Sequence, residues 1–311
     1  MMLNAGAAVA ANDASSEYDV VCSSDDRSDW FVHRVSGIGA SEMPAVMGVS
    51  KWESALSVYA RKTGIVVEDE ADQSEAAYWG SRLERIVAEE FTRRTGVPHR
   101  WHGRLLRSKK YPWALATLDA EAMGDPLECK TANQYLLSDW ADGAPYAYQV
   151  QGHQQMLVTG ASQCRVACLI GGQRFVWDLV ERDETLIRRI ILHGNEMWDR
   201  IQRMDPPDPD GSESSFHALD AMHRSPSEET VELPGELIDL DDERYVVKEQ
   251  IKAAKKRSDQ IDALIRARMG NAKHGRLANG VVYSISRVKR AAYECKATEY
   301  TQLRRSAPKG Q

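Results

Sequence analysis

The sequence predicts an α/β fold, and three observations carry that reading. Between residues 29 and 201, segments with helical apolar spacing alternate with short strand-like runs. Those runs are bounded by Gly- and Pro-containing turns. No apolar run approaches the ~18–20 residues that a membrane span needs. The 311 residues are 42% hydrophobic and 28% charged, so the chain has material for a full core and is neither collagen-like nor wholly disordered. The length suggests one large domain and a smaller unit.

The opening "MMLNAGAAVAANDASSEYD" is Ala-rich but acidic and lacks basic residues, so residues 1–26 are expected to be a disordered tail rather than a signal peptide. "DWFVHRVSGIGASEMPAVMG" (29–48) predicts a short helix, a Ser-Gly turn and a helix starting near Ala40-Ser41. "ESALSVYARKTG" (53–64) predicts a helix closed by glycine. "SEAAYWGSRLERIVAEEFTRRTG" (74–96) spaces Trp79, Leu83, Ile86, Val87 and Phe91 as a helix does, and also ends in glycine. Three strands are predicted next, in "HRWHGRLLRS" (99–108), "WALATLDAEA" (113–122) and "PLECKTA" (126–132). "PYAYQVQGHQQMLVTG" (145–160) is a Pro-started, Gly-ended helix. "CRVACLIGG" and "QRFVWDLV" form a hairpin around Gly171-Gly172, and "RDETLIRRIILHGNEMWDRI" (182–201) an amphipathic helix.

Beyond this core domain (27–204), the Pro/Asp/Ser stretch "RMDPPDPDGSESS" opens a linker assigned to 205–233, with "PDPDG" read as a solvated hinge. Residues 234–311 are expected to form a C-terminal extension. Its first part is a long helix or helical hairpin, and "GNAKHGRLANGVVYSISRVKR" is a small Gly-rich β unit.

The five cysteines (Cys22, Cys129, Cys164, Cys168, Cys295) are odd in number and form no C-x-x-C pair. That excludes a zinc ribbon and a four-cysteine cluster, and points to a reducing, cytoplasmic setting. The net charge of −6 argues against a nucleic-acid partner at first sight. It is unevenly spread, however. Arg82, Arg85, Arg93, Arg94, Arg100, Arg104, Arg107, Lys109 and Lys110 lie close together in sequence, and acid is concentrated in 67–75 and 236–243. A local basic face can hold a phosphate backbone because charge is screened beyond roughly 10 Å. The other reading is a set of solvated helix and strand faces.

The stretch "LATLDAEAMGDPLECKTA" (115–132) places Asp119 on one strand, and Glu128 and Lys130 on the next. Alternate strand residues share a face, so Glu128 and Lys130 point one way and Cys129 the other, into the core. Converging carboxylates make an oxygen-rich site for a hard divalent cation, with Mg²⁺ favoured. A neighbouring lysine can hold the attacking water. A surface hairpin with a Glu/Lys pair is the bland alternative.

With its companions, this arrangement resembles the PD-(D/E)xK nuclease core of the YqaJ-type viral recombinase, or phage lambda exonuclease-like, family. The blocks are "RVSGIGASE" (34–42), "WGSRLE" (79–84), "ATLDA" with "LECK", and "YQVQGHQQMLVTG" (148–160), in the family's order. The resemblance implies a restriction-endonuclease-like mixed sheet flanked by helices. It implies Asp119, Glu128, Glu84 and the Cys129 carbonyl as ligands of two Mg²⁺ ions (Mn²⁺ also serving), Lys130 on the nucleophilic water and Gln151 beside it. Gln149 stays open as an alternative to Gln151, although the two lie about 200° apart on a helix. Arg34 and Ser41 correspond to the pair that grips a DNA 5′-phosphate, with Ser41 at a helix N-terminus. His153 is expected to pack or to contact DNA. Ala120 stands where the family commonly has Gly.

The implied activity is 5′-to-3′ digestion of linear double-stranded DNA, leaving 3′ single strands for a phage single-strand annealing protein, in the host cytoplasm and without a membrane. A ring-shaped homotrimer is part of what the resemblance implies. An endonuclease or RecB-type nuclease with the same site is the nearer alternative, and a catalytically silent DNA-binding or host-interfering protein the farther one. Trp30, Trp52, Trp79, Trp101, Trp113 and Trp177 are expected mainly in core or support positions, with Trp52 a candidate for contact with DNA.

Overall fold

Strand-forming runs meet in one seven-stranded mixed sheet, the centre of the first of two units, residues 1–225 and 226–311. The structure is a computed structural model and describes residues 16–23, 27–67, 74–223 and 230–289. In spatial order the strands are β1 (Tyr18–Ser23), β3 (His99–Ser108), β4 (Ala114–Ala122), β5 (Asp125–Ala132), β6 (Gln163–Ile170) and β7 (Arg174–Glu181). The short β2 (Ile38–Gly39) lies parallel beside β4. Neighbours are antiparallel except for β2–β4 and β5–β6. A parallel β5–β6 pair needs a crossover. It is supplied by the 3-10 helix Gln134–Trp140 and by α5 (Tyr146–Thr159). β6 and β7 turn through Gly171 and Gly172, both at positive φ, as a tight hairpin requires.

The other helices of this unit are α1 (Arg27–Arg34), α2 (Met43–Val46), α3 (Ala55–Lys62), α4 (Glu75–Thr95), α6 (Glu184–Arg203) and α7 (Glu213–Met222). Strand alternation sorts β5 and β6 between two helices. Leu127, Cys129 and Ala167 pack with Val87, Ala88 and Phe91 of α4. Val166 and Cys168 pack with Met156 of α5. The largest apolar cluster joins α5 to α2, α3 and α6 through Val150, Leu157, Met43, Leu56 and Ile190. α6 approaches the start of β4 so closely that a Cβ on Gly194 would sit 2.0 Å from the Trp113 ring.

Several expectations are corrected. Residues 18–23 are a sheet strand, because Tyr18–Ser23 pair with β3 over Arg104–Ser108; of the expected disordered tail, residues 1–15 and 24–26 lie outside the described residues. The linker contains α7, whose Ala218 is buried against the main core. "PDPDG" does more than bend the chain, since Asp210 Oδ1 accepts the Ser212 backbone N–H (3.0 Å) and the Ser215 hydroxyl (2.7 Å) at the start of α7. Ser41 is exposed and does not cap α2, which follows Glu42. Trp52, Trp79 and Trp177 are exposed, whereas Trp30 and Trp113 are buried.

In the second unit, residues 237–269 form one uninterrupted helix, α8 (Leu237–Met269), with no buried side chain. The expected small β unit is the antiparallel pair β8 (His274–Arg276) and β9 (Val282–Ser284).

Candidate active site

The partner of β4 changes along its length. One edge pairs with β3 on both sides of Asp119, with a register shift opposite it between Trp101 (paired with Ala120) and Arg104 (paired with Leu118). The other pairs with β2 at Ala114 and Leu115 and with β5 only from Ala120 to Ala122. Between these contacts the sheet forks. The Asp119 carboxylate stands in the fork, and its Oδ2 accepts the Cys129 backbone N–H at 2.8 Å. A side chain there takes the hydrogen bond that a ladder carbonyl would have taken. Gln154 closes the far side, its Nε2 donating to the carbonyls of Ile38 (2.7 Å) and Leu115 (3.0 Å).

Glu128 and Lys130 lie on the face of β5 turned to α5. Lys130 Nζ is 2.5 Å from Glu128 Oε1 and 5.4 Å from the centre of the Tyr148 ring. Gln151 Nε2 donates to Glu128 Oε1 (2.6 Å) and Gln155 Nε2 to Oε2 (2.5 Å). Glu128 is buried, so these donors compensate a carboxylate that water does not reach. Gln149 instead donates to the Ala144 carbonyl (2.7 Å). Of the two glutamines weighed from the sequence, Gln151 is therefore the one at the acid. Gln155 was missed, though the signal existed: it follows Gln151 by one helical turn, on the same face.

Burial pushes the Asp119 carboxyl well above the usual carboxylate range, and the charges of Glu128 and Glu84 add to this against Lys130 and the Cys129 N–H. Glu84, half-buried on α4, thus acts on the same spot from across the sheet. Burial pulls the Lys130 ammonium down, but Glu128 and Asp119 outweigh it and hold the lysine charged. The Cys129 thiol, pushed well up by burial, belongs to the α4 apolar cluster. Its backbone is what meets the site.

His153 does not contact the acids. Its Nδ1 lies 2.7 Å from the Gln149 carbonyl and its Nε2 accepts the Asp183 backbone N–H at 3.0 Å. These partners fix a neutral ring that fastens α5 to the start of α6.

A second charged group surrounds Glu42, which is buried. Arg34 Nη2 is 3.2 Å from Oε1, Arg61 Nη2 3.8 Å from Oε1, and Lys62 Nζ 2.7 Å from Oε2. The Gly39 N–H donates to Oε2 at 2.7 Å, and Lys62 donates to the Arg34 carbonyl at 2.8 Å. Burial raises the Glu42 carboxyl, but Arg34, Lys62 and Arg61 overcome it and hold it at about 2. Arg61 also pairs with Glu53 (3.1 Å), so three cations on two carboxylates leave a net charge of one beside a cavity of about 230 Å³ lined by Phe31, Arg34, Arg61 and Lys62. Sequence reading found Arg34 there but not Glu42, nor Arg61 and Lys62, which α3 brings up from more than twenty residues beyond Arg34.

The donor set at the fork fits a hard divalent ion. Asp119, Glu128 and the backbone around Cys129 offer oxygens, and three neighbouring acids exceed the single Lys130 charge. Among the described residues, no three His, Cys, Asp or Glu side chains are grouped so as to hold a metal ion together. The expected set of Asp119, Glu128 and Glu84 is therefore not gathered into one ligand group: Asp119 and Glu128 are the pair at the fork, and Glu84 belongs to α4, which packs on the other side of the sheet from α5. An open carboxylate pair suits Mg²⁺, which keeps waters and completes its shell with substrate phosphate.

The family model of the YqaJ-like viral recombinase domain matches residues 29–162. The uncharacterized protein YqaJ of Bacillus subtilis (strain 168) is 34% identical over 260 residues, covering 81% of each chain. Among solved structures, an alkaline exonuclease (LHK-Exo) from Laribacter hongkongensis aligns at 20% identity and a TM-score of 0.49, over 57% of this chain and 94% of that one. A phage related exonuclease from Haemophilus somnus 129PT aligns at 12% identity and a TM-score of 0.45, over 54% and 94%. Among the described residues, no helix is long and apolar enough to cross a membrane.

Proposed function

Because this chain belongs to the YqaJ-like viral recombinase family, we propose that it is a metal-dependent exonuclease of phage-type recombination. Its substrate is linear double-stranded DNA, digested 5′ to 3′, and its product a 3′ single strand for an annealing protein in the host cytoplasm. The observation that carries this reading is the Asp119–Glu128–Lys130 group at the sheet fork.

In this reading Asp119 and Glu128 hold Mg²⁺ or Mn²⁺, with the Cys129 carbonyl and Glu84 completing the protein's share. The bound metal supplies Lewis-acid activation of the scissile phosphate and of water. Lys130, held charged beside Glu128, orients the attacking water and offsets negative charge gathering on the phosphoryl oxygens. Gln151 and Gln155 fix the Glu128 carboxylate from both sides, so it meets the substrate in one orientation. Arg34, with Arg61 and Lys62 behind it, offers the positive excess to which a terminal 5′-phosphate is drawn.

The test is Mg²⁺-dependent nucleotide release from linear duplexes bearing 5′-phosphate or 5′-hydroxyl ends, with covalently closed circles and Lys130→Ala as controls. Digestion of phosphorylated linear DNA that is lost in the variant is the expected result. Cutting of circles would replace this reading with an endonuclease, and no metal-dependent cleavage of any substrate would leave a DNA-binding protein without catalysis.

A further inference from the structure

The second unit presents a 33-residue helix, α8, none of whose side chains is buried. A helix of that length spans about 50 Å, and although Ile238, Tyr245, Val246 and Leu264 lie on other faces, one line of its residues repeats with a seven-residue period. Leu240, Val247, Ala254 and Ile261 recur every seven residues, and Ile251 and Ile265 recur between them with Arg244 and Ser258. This is a seam with d positions at Leu240, Val247, Ala254 and Ile261 and a positions at Arg244, Ile251, Ser258 and Ile265. It runs for about four heptads, long enough for a coiled coil. The seam is open to water: Leu240 is 57% exposed, Ile251 63% and Ile261 42%.

From this we infer that α8 binds α8 of a second copy of this chain as a parallel, two-stranded coiled coil. The flanking charges select both partner and direction. With the seam fixed, Glu243, Gln250 and Arg257 occupy g, and Asp241, Lys248, Lys255 and Asp262 occupy e. In a parallel in-register pair each g residue faces the e residue five positions on in the other chain. Glu243 then meets Lys248 of the second copy, and Arg257 meets Asp262. Both pairs attract, and both occur twice by symmetry. In the fully overlapped antiparallel pair, e residues face one another. Asp241 would meet Asp262 and Lys248 would meet Lys255, which is like against like. Arg244 at an a position favours two strands over three, because the narrower two-stranded seam lets a long side chain carry its charged end out to water.

The inference rests on α8 alone and is independent of the nuclease reading. It assigns the second unit the task of joining copies of the chain, whatever contacts the first unit makes.

The experiment uses the full chain. Val247→Cys in a Cys295→Ser background is oxidised and its mass read on a denaturing gel. An in-register parallel pair gives a covalent dimer through Cys at a d position. Sedimentation equilibrium of the otherwise native chain and of Ile251→Asp/Ile261→Asp should show the mass halved by the double substitution, with helix content checked by circular dichroism. Lys248→Glu should weaken assembly, and Glu243→Lys added to it should restore assembly by swapping the pair. A mass unchanged by the seam substitutions overturns the inference, as does a native mass that falls to one third. Failure of Val247→Cys to cross-link, or no rescue by the charge swap, overturns the parallel direction.

Discussion

Gln155 donates to Glu128 Oε2 from one helical turn beyond the Gln151 contact to Oε1. The acid on β5 is thus held between two amides of α5, and the orientation of its lone pairs is decided by a helix on one face of the sheet. Replacing Gln155 with Leu removes one of these donors while keeping the bulk. DNA digestion should fall about 10–100-fold. Initial rates over a range of Mg²⁺ concentrations check this, and an unchanged rate would show that Gln151 and Lys130 suffice to orient the acid.

Cys129 separates backbone from side chain. Its N–H serves Asp119, while its thiol packs with Val87 and Phe91. Cys129→Ala should therefore keep nuclease activity and lower stability by about 1 kcal/mol, the scale of a small core deletion. Parallel measurements of urea unfolding and digestion rate distinguish this from a role for the sulfur, which would abolish activity.

Glu42 is the buried hub of Arg34, Arg61 and Lys62. Glu42→Gln leaves Arg34 and Lys62 beside a neutral group, while Arg61 keeps Glu53, and should cost about 3–5 kcal/mol, as breaking a buried pair does. The pH dependence follows the same carboxylate. Its folded value of about 2 lies below the ordinary 4.5. Its contribution is therefore complete above pH 4.5 and lost as the pH falls towards 2. Urea midpoints measured through that window should drop in the native chain, and drop less in Glu42→Gln.

Gly194 faces the Trp113 ring, and Trp113 Nε1 donates to Asn195 Oδ1 at 2.7 Å. A methyl group at 194 has no room unless α6 moves off the sheet. Gly194→Ala should destabilise by about 1–3 kcal/mol or more, the cost of overpacking. A thermal melt reads it, and a variant as stable as the native chain would mean that Trp113 swings aside freely.

Much of this was legible in the sequence because it rests on local rules. Gly96 and Gly160 end α4 and α5 in the left-handed region, and Gly171-Gly172 turn the β6–β7 hairpin. The shared face of Glu128 and Lys130 follows from strand alternation, and 237–269 is helical as its spacing indicates. The misses are of another kind. β1 looked like a tail because only its pairing with β3 makes it a strand. α7 looked like a linker because its Pro- and Asp-rich approach hides a short helix stabilised by packing.

What the sequence determined by itself is the set of residues with local consequences: where helices start and stop, which strand residues share a face, and which acids, lysine and glutamines are available. What the tertiary structure alone decided is which of them meet. Asp119 reaches the Cys129 N–H because β4 exchanges one partner for another across the fork. Gln151 and Gln155 reach Glu128 and Gln149 does not because α5 settles on the sheet in one rotation. Arg61 and Lys62 join Arg34 because α3 packs against the segment that carries Glu42. These meetings are set by long-range burial and pairing, and chain neighbours carry no record of them.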